Sequence, residues 1–392
     1  MESAIGAVLW ANVATGALIQ LFNAAVLEHT STKKRMGVVC LLFVAGLVAI
    51  AMSPHVNFYF MLFAVLLVGT GTSFGQCVMV GELKRYAPTM VGGWSSGTGL
   101  AGIAGSFTMI LLSYLDVSIE LTFFLILPLI VVYGVVYFFM LKPPTADSSD
   151  PDFAPPPSVA GKAGVVVAGE GPADTERSRL LSPVSPRAGI QASDLENPGG
   201  EGGVAVAPEG ESGCGRAGRL FRLILWKGMN MGLVYFFEYW ISVGCAADAE
   251  PKTLARNASF WQAKSFVVLA ACYQLGVFVS RSSLRLFKVS HIEIFTILQG
   301  INLGFWLADD IYKWMPYYIQ FVAMFYVGLL GGCSYVNTLY VQLNDPRTPE
   351  TDRKMALYGL LIFINVGIAL AAGACLISDA TFLKDDVPTG NS

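Results

Sequence analysis

Apolar residues along this chain gather into ten long stretches, at 4–27, 36–53, 58–80, 94–114, 121–141, 223–245, 261–280, 292–308, 316–340 and 356–378. None alternates polar and apolar residues as a membrane strand would. About 20 helical residues cross ~30 Å of hydrocarbon, and a helix satisfies its backbone groups internally. The pattern therefore predicts an all-α polytopic membrane protein with about 10 transmembrane helices. Residues 142–222 interrupt it. They hold 11 of the 19 prolines and 13 of the 41 glycines, and between Pro143 and Leu220 the only aromatic residue is Phe153. Such a segment buries too little apolar surface to offset its ordering entropy, so disorder is expected. The predicted organisation is an N-terminal helical lobe at 1–141 (five spans), a linker at 142–222, a C-terminal lobe at 223–378 (five spans) and a tail at 379–392. Two bundles on a long connection suit a transporter in which one lobe rocks against the other. The alternative is a tether between two unrelated bundles.

Composition narrows the chemistry. Charged residues make up 14% of the chain, against about 25% in soluble domains, which excludes a soluble enzyme. A net charge of −3 gives no basic footprint for nucleic acid. The seven cysteines form no C-x-x-C and mostly sit in apolar runs, where they act as small hydrophobes. The three histidines lack metal-ligand spacing. Phosphate-cradling, zinc-protease and nucleophile-elbow motifs are absent. No enzymatic activity, metal or cofactor is expected.

Charge also sets an expected orientation. Lys33, Lys34, Arg35, Lys84 and Arg85, the 142–222 segment, Arg281, Arg285 and Lys288, and Arg347, Arg353 and Lys354 share one face and carry 19 of the 25 Lys and Arg. The positive-inside rule makes that face cytosolic. Met1 then falls on the lumenal side. Either the first span inserts as a reverse anchor or an upstream helix precedes it, and the charge pattern favours the second. Lys227 and Lys264 lie near span ends, where snorkelling is the ordinary reading.

Two features inside the spans invite a functional reading. Gly93, Gly97, Ala101 and Gly105 recur every fourth residue, a small-residue stripe suited to close helix approach. It reads as a sliding or substrate-lining surface, or as static packing. Ser95, Ser96 and Thr98 on the same segment tilt it toward a polar path. Gly328 and Gly332 make a weaker stripe. Glu238 lies mid-span in LVYFFEYWISVG. A charge at bilayer depth costs about 2.5–3.5 kcal/mol, so it must pair, face the bundle or take a proton. It reads as a proton-coupling or substrate-contacting carboxylate, or as a structural acid bonded to Lys227, Lys264 or backbone. Asn12, Gln20, Asn23, Gln76, Gln274, Gln299, Asn302, Asn337 and Asn365 also punctuate apolar runs. Singly each reads as a helix–helix hydrogen bond; together they suggest an aqueous path.

Two short signals concern address. Glu176, Leu180 and Leu181 fit an acidic dileucine pattern read by cytosolic sorting adaptors. Asn257-Ala258-Ser259 is an N-glycosylation acceptor in a loop assigned to the lumen.

WSSGTG at 94–99, continuing as LAGIAGS, resembles a stretch of the battenin family, lysosomal membrane proteins linked to Batten disease. VYFFEY at 234–239, YQLGVFVSRSSLR at 273–285, LQGINLGFWLAD at 298–309 and GLLGGCSYVNT at 328–338 agree in order and spacing. The resemblance implies a major-facilitator-like two-lobe bundle of eleven or so helices in a lysosomal, late-endosomal or vacuolar membrane. It also implies a role in lumenal pH homeostasis, basic amino acid transport or glycerophosphodiester export. The first span here resembles the family's second, so the family's first helix is expected to be missing. The family carries charges where Asn12, Gln20, Gln76 and Val327 stand.

These readings converge on a secondary transporter of a small solute, with protons as a candidate coupling ion. Substrate-path candidates are Glu238, Ser95, Ser96, Thr98, Tyr235, Gln274 and Asn337. Gly93, Gly97, Ala101, Gly105, Arg281 and Arg285 are gate or packing candidates, although arginines in a short cytosolic loop are ordinarily topology signals. The alternatives are a non-transporting scaffold in endolysosomal trafficking and a nucleoside-type equilibrative transporter.

Overall fold

Helices form along the long apolar runs of the sequence. The computed structural model describes residues 3–25, 30–83, 88–141, 213–249, 260–283 and 288–380. Its principal helices are α1 (Ser3–Val13), α2 (Gly16–Ala25), α3 (Thr32–Met52), α4 (Phe58–Leu83), α5 (Pro88–Tyr114) and α6 (Ile119–Val135). After the linker come α7 (Gly213–Tyr239), α8 (Ser265–Ser282), α9 (Glu293–Tyr312), α10 (Tyr317–Leu343) and α11 (Arg353–Ala380). Among the described residues there is no strand. Helices α6 and α7 run on as wider π-helical turns, Val136–Met140 and Trp240–Cys245.

Seven helices among the described residues are long and apolar enough to cross a membrane: Thr32–His55, Phe58–Glu82, Gly93–Tyr114, Ile119–Met140, Ser265–Ser282, Tyr317–Leu343 and Glu350–Ser378. They correspond to seven of the ten predicted spans. The other three depart for visible reasons. The 4–27 stretch breaks at Ala14 and Thr15 into α1 and α2. Helix α7 carries Arg216, Arg219, Arg222, Lys227 and Glu238, and α9 carries Glu293, Asp309 and Asp310. The predicted linker also ends earlier than expected, because residues 213–222 already belong to α7. Two of its arginines, Arg216 and Arg219, pair with the buried Asp352, with Arg219 Nη2 2.8 Å from the carboxylate.

The α1–α2 break is built by α4. Thr15 and Thr70 share a hydroxyl–hydroxyl hydrogen bond of 2.5 Å. A Cβ at Gly69 would overlap the Asn12 carbonyl, so only glycine lets α4 come this near.

Glycines also set the tightest helix contacts, but not those of the predicted stripe. Gly93, Gly97 and Gly105 have nothing within 4 Å, and Ala101 is exposed. That stripe faces outward. The opposite side of α5 does the packing, with Gly99 against the Phe278 backbone and Gly102 against Gln274 of α8. The stripe read as weaker is the closest seam: Gly328 and Gly332 of α10 meet the Tyr273 carbonyl and the Ser280 hydroxyl of α8. Helices from before and after the linker thus pack into one compact unit, α5 against α8 and α1 and α2 against α11.

Candidate functional site

Glu238 closes α7 just before the π-helical turn and is 1% exposed. Tyr273 of α8 donates a 2.5 Å hydrogen bond to Oε1. Oε2 has no hydrogen-bond partner among the described residues. A Cβ at Gly331 of α10 would collide with the carboxylate, so the glycine makes room for it. Neither lysine offered as a structural partner is bonded to it: Lys227 pairs with Asp345. Lys264 is exposed.

Arg281 corrects the expectation of a cytosolic loop arginine. It belongs to the last turn of α8 and reaches inward. Its Nη1 donates to Thr98 Oγ1 at 3.0 Å, and its guanidinium carbon lies 4.6 Å from the centre of the Tyr335 ring, a cation–π distance. Gln76 Nε2 donates to Tyr335 Oη at 3.3 Å, and Thr98 donates to the Ser95 carbonyl at 2.8 Å. Trp94 packs near Tyr335, and Tyr235 stacks on Tyr239 with centroids 6.1 Å apart. Tyr235, Tyr239, Tyr273 and Arg281 all lie within electrostatic reach of Glu238. One buried carboxylate and one guanidinium therefore share an aromatic, low-dielectric centre assembled from α4, α5, α7, α8 and α10.

Of the predicted path residues, Glu238, Thr98 and Tyr235 meet here. Ser95 is buried with an unpartnered hydroxyl, and Ser96 is half-buried beside it. Gln274 lies against Gly102 one turn away. Asn337 is already committed, since it accepts from Val289 N at 2.7 Å and donates to the Cys333 carbonyl at 2.9 Å. It secures the loop before α9 and adds nothing to an open path. Arg285, Asn257, Glu176, Leu180 and Leu181 lie outside the described residues. Sequence reasoning missed Tyr273, Tyr335, Trp94 and Gly331 as site members, because their helices meet only in the fold. Gln76 was visible as a polar residue in an apolar run.

A second charged cluster is built around the middle of α7, about three turns before Glu238. Lys227, read as a snorkelling lysine, is buried and bonds Gln342 Oε1 at 2.8 Å and Asp345 Oδ2 at 2.5 Å. Arg347 also bonds Asp345, at 2.9 Å and 3.0 Å. Burial alone would raise the Asp345 pKa, but hydrogen bonds from Arg347 and Lys227 outweigh it and hold the carboxyl well below the usual range. The cluster fastens α7 to the α10–α11 loop.

A strand-free described fold, seven membrane-length helices and polar groups buried in the bundle define a polytopic helical membrane protein. The chain matches the profile of the family described as CLN3 protein over residues 1–384. It belongs to that family. It is 37% identical over 389 residues to battenin of Dictyostelium discoideum, covering 99% of this chain and 89% of that one. Battenin of Canis lupus familiaris is 28% identical over 310 residues, covering 78% of this chain and 61% of the relative. Protein btn-1 of Neurospora crassa is 28% identical over 386 residues, covering 94% and 79%. The resemblance read from the WSSGTG and VYFFEY segments is thereby established.

Proposed function

We propose that the chain is a secondary transporter of a small solute in a lysosomal or vacuolar membrane, with the solute bound at the Glu238–Arg281 centre. The observation that carries this reading is the centre itself: a buried carboxylate with a free oxygen, and a guanidinium whose Nε is unpartnered, between helices from both sides of the linker. Unpaired charge at that depth is unfavourable unless a ligand or proton joins it. Glu238 by itself would suit a basic amino acid, and few cations lie in the predicted spans. Arg281 inside the bundle changes that balance. Glu238 and the tyrosines suit a cationic group, and Arg281 suits a carboxylate or phosphodiester. A solute carrying both charges fits best, which keeps both a basic amino acid such as arginine and a zwitterionic glycerophosphodiester in play.

Residues 1–141 and 223–378 would act as the two lobes, with the linker cytosolic and its dileucine read by sorting adaptors. Asn257 would carry a lumenal glycan, and transport would serve lysosomal pH homeostasis. Purified protein in liposomes tests the reading. Flux of arginine or a glycerophosphodiester should fall at least tenfold in Glu238→Gln and lose its pH dependence. Flux and pH dependence unchanged by that substitution would remove Glu238 from the mechanism. No flux of any solute would favour a trafficking scaffold, and competition by nucleosides would favour an equilibrative nucleoside-type carrier.

A further inference from the structure

Helix α9 turns its polar side inward. Ile294, Ile297, Ile301 and Phe305 face outward and are exposed, whereas Gln299 (0%), Asn302 (8%), Trp306 (0%) and Asp309 (2%) are buried. Their spacing of three and four residues puts them on one face. At each end of this face a residue is bonded by protein. Asp309 accepts from Met315 N at 2.7 Å and from Gln320 Nε2 at 2.8 Å. At the other end Thr296 donates to Asn230 Oδ1 of α7 at 2.8 Å. Between them, Gln299 Nε2 and Oε1, Asn302 Nδ2 and Trp306 Nε1 have no hydrogen-bond partner among the described residues. Residues 299–306 span roughly 10 Å of helix.

Four unpaired polar atoms in one buried seam are unfavourable, and proteins meet such groups with bound water. We propose that the inward face of α9 holds a file of waters from Gln299 to Trp306, which conducts protons toward the Glu238 centre apart from the solute path. Three donors and one acceptor suit water, which both accepts and donates. A cation would find only neutral amide oxygens, and an anion no positive side chain among the three. Trp306 belongs to an apolar cluster with Ile241 and Leu303 against which Tyr273 packs, so the last step from the file to the Tyr273 hydroxyl is itself part of the proposal. Through its hydroxyl Tyr273 reaches Glu238. The other titratable groups around that carboxylate are Tyr235 and Tyr239 on its own helix and Arg281 on α8, with Tyr335 of α10 beyond Arg281. The proton role rests on the reading of Glu238 above; the water file does not.

Hydroxyl-radical footprinting of the full chain in liposomes tests the file, because radicals made from bound water label buried side chains beside it. Trp306 should be labelled several-fold faster than Met231, which is equally buried in an apolar core. The pair Gln299→Leu and Asn302→Leu should remove that labelling and slow proton uptake after a pH jump about tenfold, with solute flux at equal pH on both sides kept. If the pair fails to fold, Asn302→Ala, which widens the seam, should keep or raise Trp306 labelling. Trp306 as unreactive as Met231 in the unsubstituted protein would overturn the water file. Labelling that persists with unchanged proton uptake in the double variant would overturn the proton route. Loss of solute flux in the unsubstituted protein would instead strike the proposed function and leave the water file standing.

Discussion

Tyr273 is the residue on which the buried carboxylate depends, since its hydroxyl is the hydrogen-bond donor that Glu238 has among the described residues. A hydrogen bond to a charged group contributes about 1.5–3 kcal/mol. Tyr273→Phe should therefore destabilise the folded protein by about that amount, measured by unfolding in mixed detergent. A double-mutant cycle with Glu238→Gln should show clear coupling, and additive losses would contradict the contact. Glu238 was legible in the sequence because a lone acid in an apolar run is a visible anomaly. Tyr273 and Tyr335 were not, because a tyrosine in a membrane helix is ordinary until its hydroxyl finds a partner. Arg281 was legible as a charge but misplaced, since one helical turn separates the end of α8 from the buried centre.

Among the helices, the small-residue pattern was legible and its direction was not. Every fourth position in WSSGTGLAGIAG lines up on one face of a helix, yet two faces of α5 carry glycines and only one meets a neighbour. Gly99→Leu should push α5 off α8 and cost about 1–3 kcal/mol as an overpacked contact. Gly97→Leu, on the outward face, should leave the melting temperature within a degree or two. Thermal unfolding in detergent compares them, and equal losses would contradict the packing described. The break between α1 and α2 was equally hidden, because residues 4–27 read as one apolar run and the interruption is set by Gly69 and Thr70 of another helix.

For the molecule as a whole, the charged fastening of α7 to the α10–α11 loop sets a dependence on pH. Asp345 is depressed below its ordinary value of about 3.9. Its stabilisation is therefore complete above that value and lost as pH falls through the folded pKa. Asp345→Asn leaves Lys227 buried without its charge partner and should destabilise by about 3–5 kcal/mol. The gap between the two proteins should stay constant from about pH 8 to 5 and shrink below about pH 4. A gap that already narrows between pH 7 and 5 would contradict the pairing. The amino-acid sequence by itself determined the solvent this protein lives in, its helical class, most of its spans and its family. Those depend on summed hydropathy and on short motifs, both local properties of the chain. Only the tertiary structure decided which polar residues meet, which face of each helix is buried and which charges are paired. Each of those depends on contacts between segments far apart in sequence, where a rotation of one helix by a third of a turn exchanges a lipid-facing residue for one at the centre.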